Sequence, residues 1–148
     1  MNLDELRPIL QGYREQVAPA WSPATAYNGD GEQGSPRNQC GVTSAWLQRR
    51  LAEDHGVETV YCYGTVISTR TFRAVDHCWL EIGDATKALI LDLTGTQIPT
   101  LTWRVVCMDY VALYERGFDY NLSERFAFEQ LAADPVQARL AVLEAAMS

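Results

Sequence analysis

Positive charge is scarce in this chain: 12 basic residues face 19 acidic ones, leaving a formal net charge of −7 over 148 residues. A nucleic-acid binder needs a basic face to neutralise phosphates, so that class is excluded as the leading reading. Long apolar runs are missing as well. Nothing approaches the roughly 20 apolar residues of a membrane-spanning helix, and no membrane role is expected. The opening stretch "MNLDELRPIL" carries acidic residues where an export signal would carry basic ones. That points to the cytoplasm, with secretion by a signal-less route left open. The four cysteines, Cys40, Cys62, Cys78 and Cys107, include no C-x-x-C pair, so a zinc site has no support. Four free thiols are expected in a reducing compartment. No calcium-loop signature and no internal repeat is present.

What remains is an ordinary globular composition, 47% hydrophobic and 21% charged, enough for one domain over residues 1–148 with a real core. Leu3, Leu6, Ile9, Leu10, Tyr13 and Val17 recur at helical spacing and predict a helix over residues 3–16. Residues 18–38, including "YNGDGEQGSPRNQ", hold too many turn formers for a regular element. A loop this long suggests one wall of a substrate cleft. A second amphipathic helix is predicted from about Gly41 to Asp54, stopped by His55-Gly56. Three strands follow in "VETVYCYGTVIS", "VDHCWLEIG" and "ALILDLTG", and "TWRVVCMDYVALY" contains a fourth. The linkers "TRTFRA" and "DATK" suit antiparallel neighbours. From Ser123 onward the composition reads as helix, broken near Pro135. Runs of helix and of strand, rather than alternation, predict an α+β fold with an antiparallel sheet.

Three polar residues stand out against that layout. Cys40 begins a helix, His77 lies inside a strand, and Asp92 interrupts the apolar "LILDL". Singly, each has a bland explanation: a packed thiol, a hydrogen-bonded ring, a turn cap. Together they supply one residue for each role in thiol catalysis. A thiol attacks as its thiolate, which a helix N-terminus favours. A histidine takes the proton and later returns it to the leaving group. A carboxylate on the far ring nitrogen fixes the tautomer. His77 and Asp92 fall on consecutive strands of a hairpin, which brings them to one face.

With cysteine, histidine and aspartate in that order on helix, strand and strand, the chain resembles the papain-like superfamily, most closely its transglutaminase-like branch. The resemblance rests on "QCGVTSAWLQRRL", "DHCWLEI" and "LILDLTGTQ" and covers roughly residues 33–97. The Cys-Gly step before a helix is also similar to bacteriocin-processing peptidases. It implies a nucleophile helix packed on a small antiparallel sheet, with extra helices at both ends. It also implies Cys40 as nucleophile, His77 as general base and acid, and Asp92 as orienting acid. The oxyanion donor would come from the preceding loop. Gln33 stands seven residues before the cysteine, one off the family's register, and Gln39 immediately before it is the other candidate. Trp79 and Gln97 are candidate substrate contacts, whereas Cys78 should point away from His77 into the core by strand alternation.

No metal and no organic cofactor is implied. The expected substrate is a peptide or protein amide, handled by hydrolysis, deamidation or transamidation through a thioester. Two alternatives stand beside it: a non-catalytic binding protein on the same scaffold, and a thioester-dependent acyltransferase.

Overall fold

The structure is a computed structural model that describes residues 2–83, 87–131 and 134–148; the expected "DATK" linker lies largely outside them. The chain enters through α1 (Leu3–Val17), whose N-terminus carries a capping box: the Asn2 side chain accepts from the Glu5 N–H, and Glu5 reaches back to Asn2. Pro8 stands inside this helix and removes one intrahelical donor, a cost of about 3 kcal/mol. Leu6, Leu10, Tyr13 and Val17 are all buried on one stripe, each contributing about 1.5–3 kcal/mol. The burial outweighs the proline, and the helix continues through it.

The predicted loop is anchored rather than loose. Short 3₁₀ turns at Ala18–Ala20 and Tyr27–Gly29 interrupt it. Trp21 is fully buried, with its indole N–H donating to Thr43 at 2.9 Å. Helix α2 (Cys40–His55) starts one residue earlier than predicted and ends on Gly56 in the left-handed region, φ 64°. Gly41 through Gln48 are all buried. A helix covered all round is a core helix, and α2 lies with α1 and α4 (Val136–Met147) on one face of the sheet.

Five antiparallel strands follow: β1 (Val60–Ser68), β2 (Ala74–Ile82), β3 (Leu89–Asp92), β4 (Val106–Asp109) and β5 (Phe118–Phe126), in the order β4-β3-β2-β1-β5. A short helix, α3 (Tyr110–Glu115), joins β4 to β5. Strand alternation divides the core. Tyr61, Cys78, Leu80, Leu91 and Cys107 face the helices; Cys62, Val66, Trp79, Ile90 and Tyr120 form a second cluster on the other face, closed by Ile98, Leu101 and Leu113. The fold class is α+β, as expected. Among the described residues no helix is long and apolar enough to cross a membrane.

The C-terminal expectation needs correction. Ser123 to Phe126 belong to β5, not to a helix, and helix resumes only at a 3₁₀ turn, Phe128–Leu131, and α4. β5 is an edge strand whose outer half is exposed, so its Ser, Glu and Arg composition looks like a helix surface. Pairing with β1 overrides that local preference. At Gly64 the β1–β5 register slips by one residue, a bulge that lets β5 approach closely.

Candidate active site

The turn into α2 sets the position of Cys40. Asn38 adopts a left-handed conformation, φ 58°, tolerable for asparagine. Its side-chain amide donates to the Asp30 carbonyl at 2.7 Å, and its backbone N–H donates to Gln97 Oε1 at 2.9 Å. Cys40 is then the first residue of α2, and the cap residue Gln39 supplies no side-chain hydrogen bond to the helix. The N-terminal N–H groups and dipole are left facing the thiol's surroundings.

His77 comes from β2 and is 1% exposed. Its Nε2 lies 2.6 Å from Asp92 Oδ2 on β3. The carboxylate is held from both sides. Oδ1 accepts from the Thr94 N–H at 2.8 Å and from the Thr94 hydroxyl, and Oδ2 accepts from the Tyr120 hydroxyl at 2.8 Å. The Trp79 ring stacks on His77 with centroids 6.4 Å apart, and Tyr120 meets it edge-on. The imidazole therefore has a fixed plane and a fixed partner. Its other nitrogen, Nδ1, is buried without a hydrogen-bond partner.

Electrostatics tie these groups to Cys40. The neighbouring Cys78 thiol lowers the Cys40 pKa well below its ordinary value; burial opposes this, and the nearby His77 ring lowers it further. Burial pushes the His77 ring down, but the Asp92 charge and hydrogen bond, together with Cys40, outweigh it and raise the ring to about 10. Burial likewise works against Asp92 ionising, yet His77, Thr94 and Tyr120 hold its pKa below the ordinary value. The three shifts act together: they favour the ionised form of Cys40 and of Asp92 and the protonated form of His77.

A cavity of about 860 Å³ opens over these groups, lined by Cys40, His77, Cys78, Tyr61, Tyr63 and Gln97, by Tyr27 and residues 35–38 of the loop, and by Asp134 and Arg139 at the start of α4. The loop thus forms one wall, as expected of it. Cys40, His77 and Asp92 come together as their spacing suggested.

The other sequence candidates divide. Gln33 is exposed and spends its amide on the Pro19 carbonyl at 2.8 Å. Gln39 is fully buried, accepting from Thr25 at 2.7 Å and donating to the Ser22 carbonyl at 2.9 Å. Neither amide lines the cavity, because both brace the loop. Trp79 is buried beneath His77 and donates to the Tyr110 hydroxyl at 3.0 Å, so it supports the ring and does not reach the cavity. Gln97 does reach it, with Oε1 tied to Asn38 and Nε2 buried without a partner.

Cys78 lies in the core on the side away from His77, as expected, and also lines the cavity. That side, toward the helices, leads to Cys40, since α2 begins over the same face. The Tyr61 hydroxyl donates to its sulfur at 3.1 Å. Tyr120 went unnoticed because its strand did; the alternation of Phe118, Tyr120 and Leu122 was the available signal. Arg139 had no signal beyond an exposed-looking place on a helix.

Comparison of the chain with family models, with curated proteins and with solved structures finds no match.

Proposed function

We propose that this chain is a cysteine-dependent amide hydrolase or acyl transferase, on a papain-like, transglutaminase-like arrangement of helix and sheet. One observation carries the reading. His77 is locked to Asp92 through Nε2, while its buried Nδ1 stays unpartnered beside a thiol of depressed pKa. Most buried polar atoms find a partner, and this one is left without one on the wall that Cys40 also lines.

In this reading the Cys40 thiolate adds to the carbonyl carbon of a bound amide, and the C=O electrons move onto oxygen. The Gln97 Nε2–H group, whose amide is held through Oε1 by the Asn38 N–H and whose Nε2 lacks a partner, donates to that oxygen; such a donor lowers the barrier by about 3–4 kcal/mol. The tetrahedral species collapses to a thioester as the C–N bond breaks and His77 Nδ1 delivers its proton to the departing amine. His77, now neutral, then takes a proton from water or an incoming amine, which attacks the thioester and restores the thiolate. Asp92 holds the ring throughout.

Site-resolved alkylation tests this. The folded protein is treated with limiting iodoacetamide from about pH 5 to 9, spanning the free-thiol range, and each cysteine is quantified by mass spectrometry. Cys40 reacts first, well below the pH a free thiol needs, and His77→Ala loses that lead. Alkylation of Cys40 no faster than a free thiol removes the catalytic reading and leaves a binding scaffold.

A further inference from the structure

Among the described residues, one of the two arginine cations that line the cavity over Cys40 has no counter-charge. Arg37, on the loop wall, is paired with Asp30 at 3.0 Å. Among the described residues two carboxylates line the cavity, and neither pairs with a cation there. Asp134 accepts from the Val136 N–H at 2.9 Å at the start of α4, and Asp76 makes its charge felt at Tyr63, whose pKa it raises, and not in an ion pair with Arg139. Arg139 has neither kind of partner: among the described residues no carboxylate lies within ion-pair distance of it, and its Nε is buried without a hydrogen bond. What positions it is the Tyr27 ring, 5.7 Å from the guanidinium carbon. Its Nη2 sits 3.5 Å from where a side chain on Gly41 would begin, so the charge stands one residue from Cys40. It is not among the groups that lower the Cys40 pKa.

A guanidinium held in place at a cavity wall, with its donor fork unspent, matches a planar two-oxygen anion. We infer that Arg139 forms a carboxylate subsite, and that the substrate of this site is an amide flanked by a carboxylate. This deepens the proposed function and rests on it. Two sources share the chemistry, the free terminus of a peptide and an acidic side chain. A Cβ on Gly41 would stand 3.1 Å from the Tyr61 hydroxyl and 3.5 Å from Nη2, so glycine here leaves the space beside the guanidinium unfilled.

Three electrophiles read this without a known substrate: N-bromoacetyl-glycinamide, neutral; N-bromoacetyl-glycine, with a terminal carboxylate; and the α-amide of N-bromoacetyl-aspartate, with a side-chain carboxylate. In each, the thiolate displaces bromide, forming C–S as C–Br breaks. Rates at Cys40 are taken as the ratio of anionic to neutral reagent, relative to the same ratio for N-acetylcysteine amide. At least one carboxylate reagent shows an advantage of about tenfold, the scale of a hydrogen bond to a charged group, and the reagent favoured identifies the source. Arg139→Gln brings the ratio down to that of the reference thiol, Arg139→Lys retains part of it, and Arg70→Gln, which removes a charge from an exposed turn, keeps it. A ratio no greater than the reference, or one that survives in Arg139→Gln, overturns the subsite. The neutral reagent alone reports the state of the thiol, so a slow Cys40 counts against the catalytic reading and not against Arg139.

Discussion

At the scale of single residues, the neighbour that matters most to Cys40 is a second thiol. Cys78 lines the cavity beside Cys40, and its own pKa is raised well above the ordinary value, first by its interaction with Cys40 and then by burial. It therefore stays protonated while Cys40 ionises. A thiol is a weak donor, but in a buried site a weak donor aimed at an anion is worth more than in water. Cys78→Ala should move the pH profile of Cys40 alkylation upward, toward that of a free thiol. Cys78→Ser, which keeps an O–H in the same place, should move it less. Superimposable profiles for wild type and Cys78→Ala would assign the effect to His77 and the helix terminus alone.

At the scale of elements, Gly64 in β1 decides how the last strand sits. A Cβ there would stand 2.2 Å from the Asn121 carbonyl oxygen on β5 and 2.8 Å from the Trp79 ring. The missing side chain lets β5 close in beside β1 at the bulge, next to the residue, Tyr120, that braces Asp92. Gly64→Ala forces backbone apart, and overpacking of this kind costs about 1–3 kcal/mol. Urea unfolding reads the loss, and a midpoint equal to wild type would show that the strands part at no cost.

The same strand marks the boundary of what the sequence made legible. Helices α1 and α2 announced themselves through apolar spacing and a glycine stop, and β1 to β3 through β-branched and aromatic runs. Cys40, His77 and Asp92 were readable because each sat conspicuously on a predicted element. β5 was half hidden, since an exposed edge strand carries polar residues on both sides of its outer half. Everything that depended on β5 was hidden with it, including Tyr120. The two glutamines failed as oxyanion candidates for a different reason. Distance along the chain placed them near Cys40, but only the folded loop shows that Thr25, Ser22 and Pro19 had already engaged their amides.

At the scale of the whole molecule, the thiolate–imidazolium pair should shape stability against pH. Taken alone, His77 contributes stability that is fully present below its ordinary 6.5 and lost as pH rises through about 10. Cys40 contributes in the opposite sense: fully present above its ordinary 9.0, lost as pH falls through its depressed value. Between 6.5 and 9.0 the two contributions run in opposite directions, so the gain from Cys40 offsets the loss from His77 and flattens their sum. Below that window it declines because the unfolded chain binds more protons. Above it the decline is reinforced by the buried Cys62 and Cys78 thiols, both raised. Unfolding midpoints measured across pH should show this plateau in wild type. In Cys40→Ala the plateau should give way to a steady fall above about pH 6.5. A plateau that persists without the thiol would place its origin elsewhere.

The order in which the parts of this site occur along the chain has a consequence for its birth. Cys40, His77 and Asp92 are polymerised first; the hydroxyl that steadies Asp92 arrives with Tyr120, and the α4 wall bearing Arg139 comes near the C-terminus. A nascent chain that has reached Gly117 already owns a thiol, an imidazole and a carboxylate. It lacks the outer strand and the helix that hold them in register. The cavity over the thiol is therefore closed only after Cys40, His77 and Asp92 have all been made, when β5 and α4 dock against the sheet and α2.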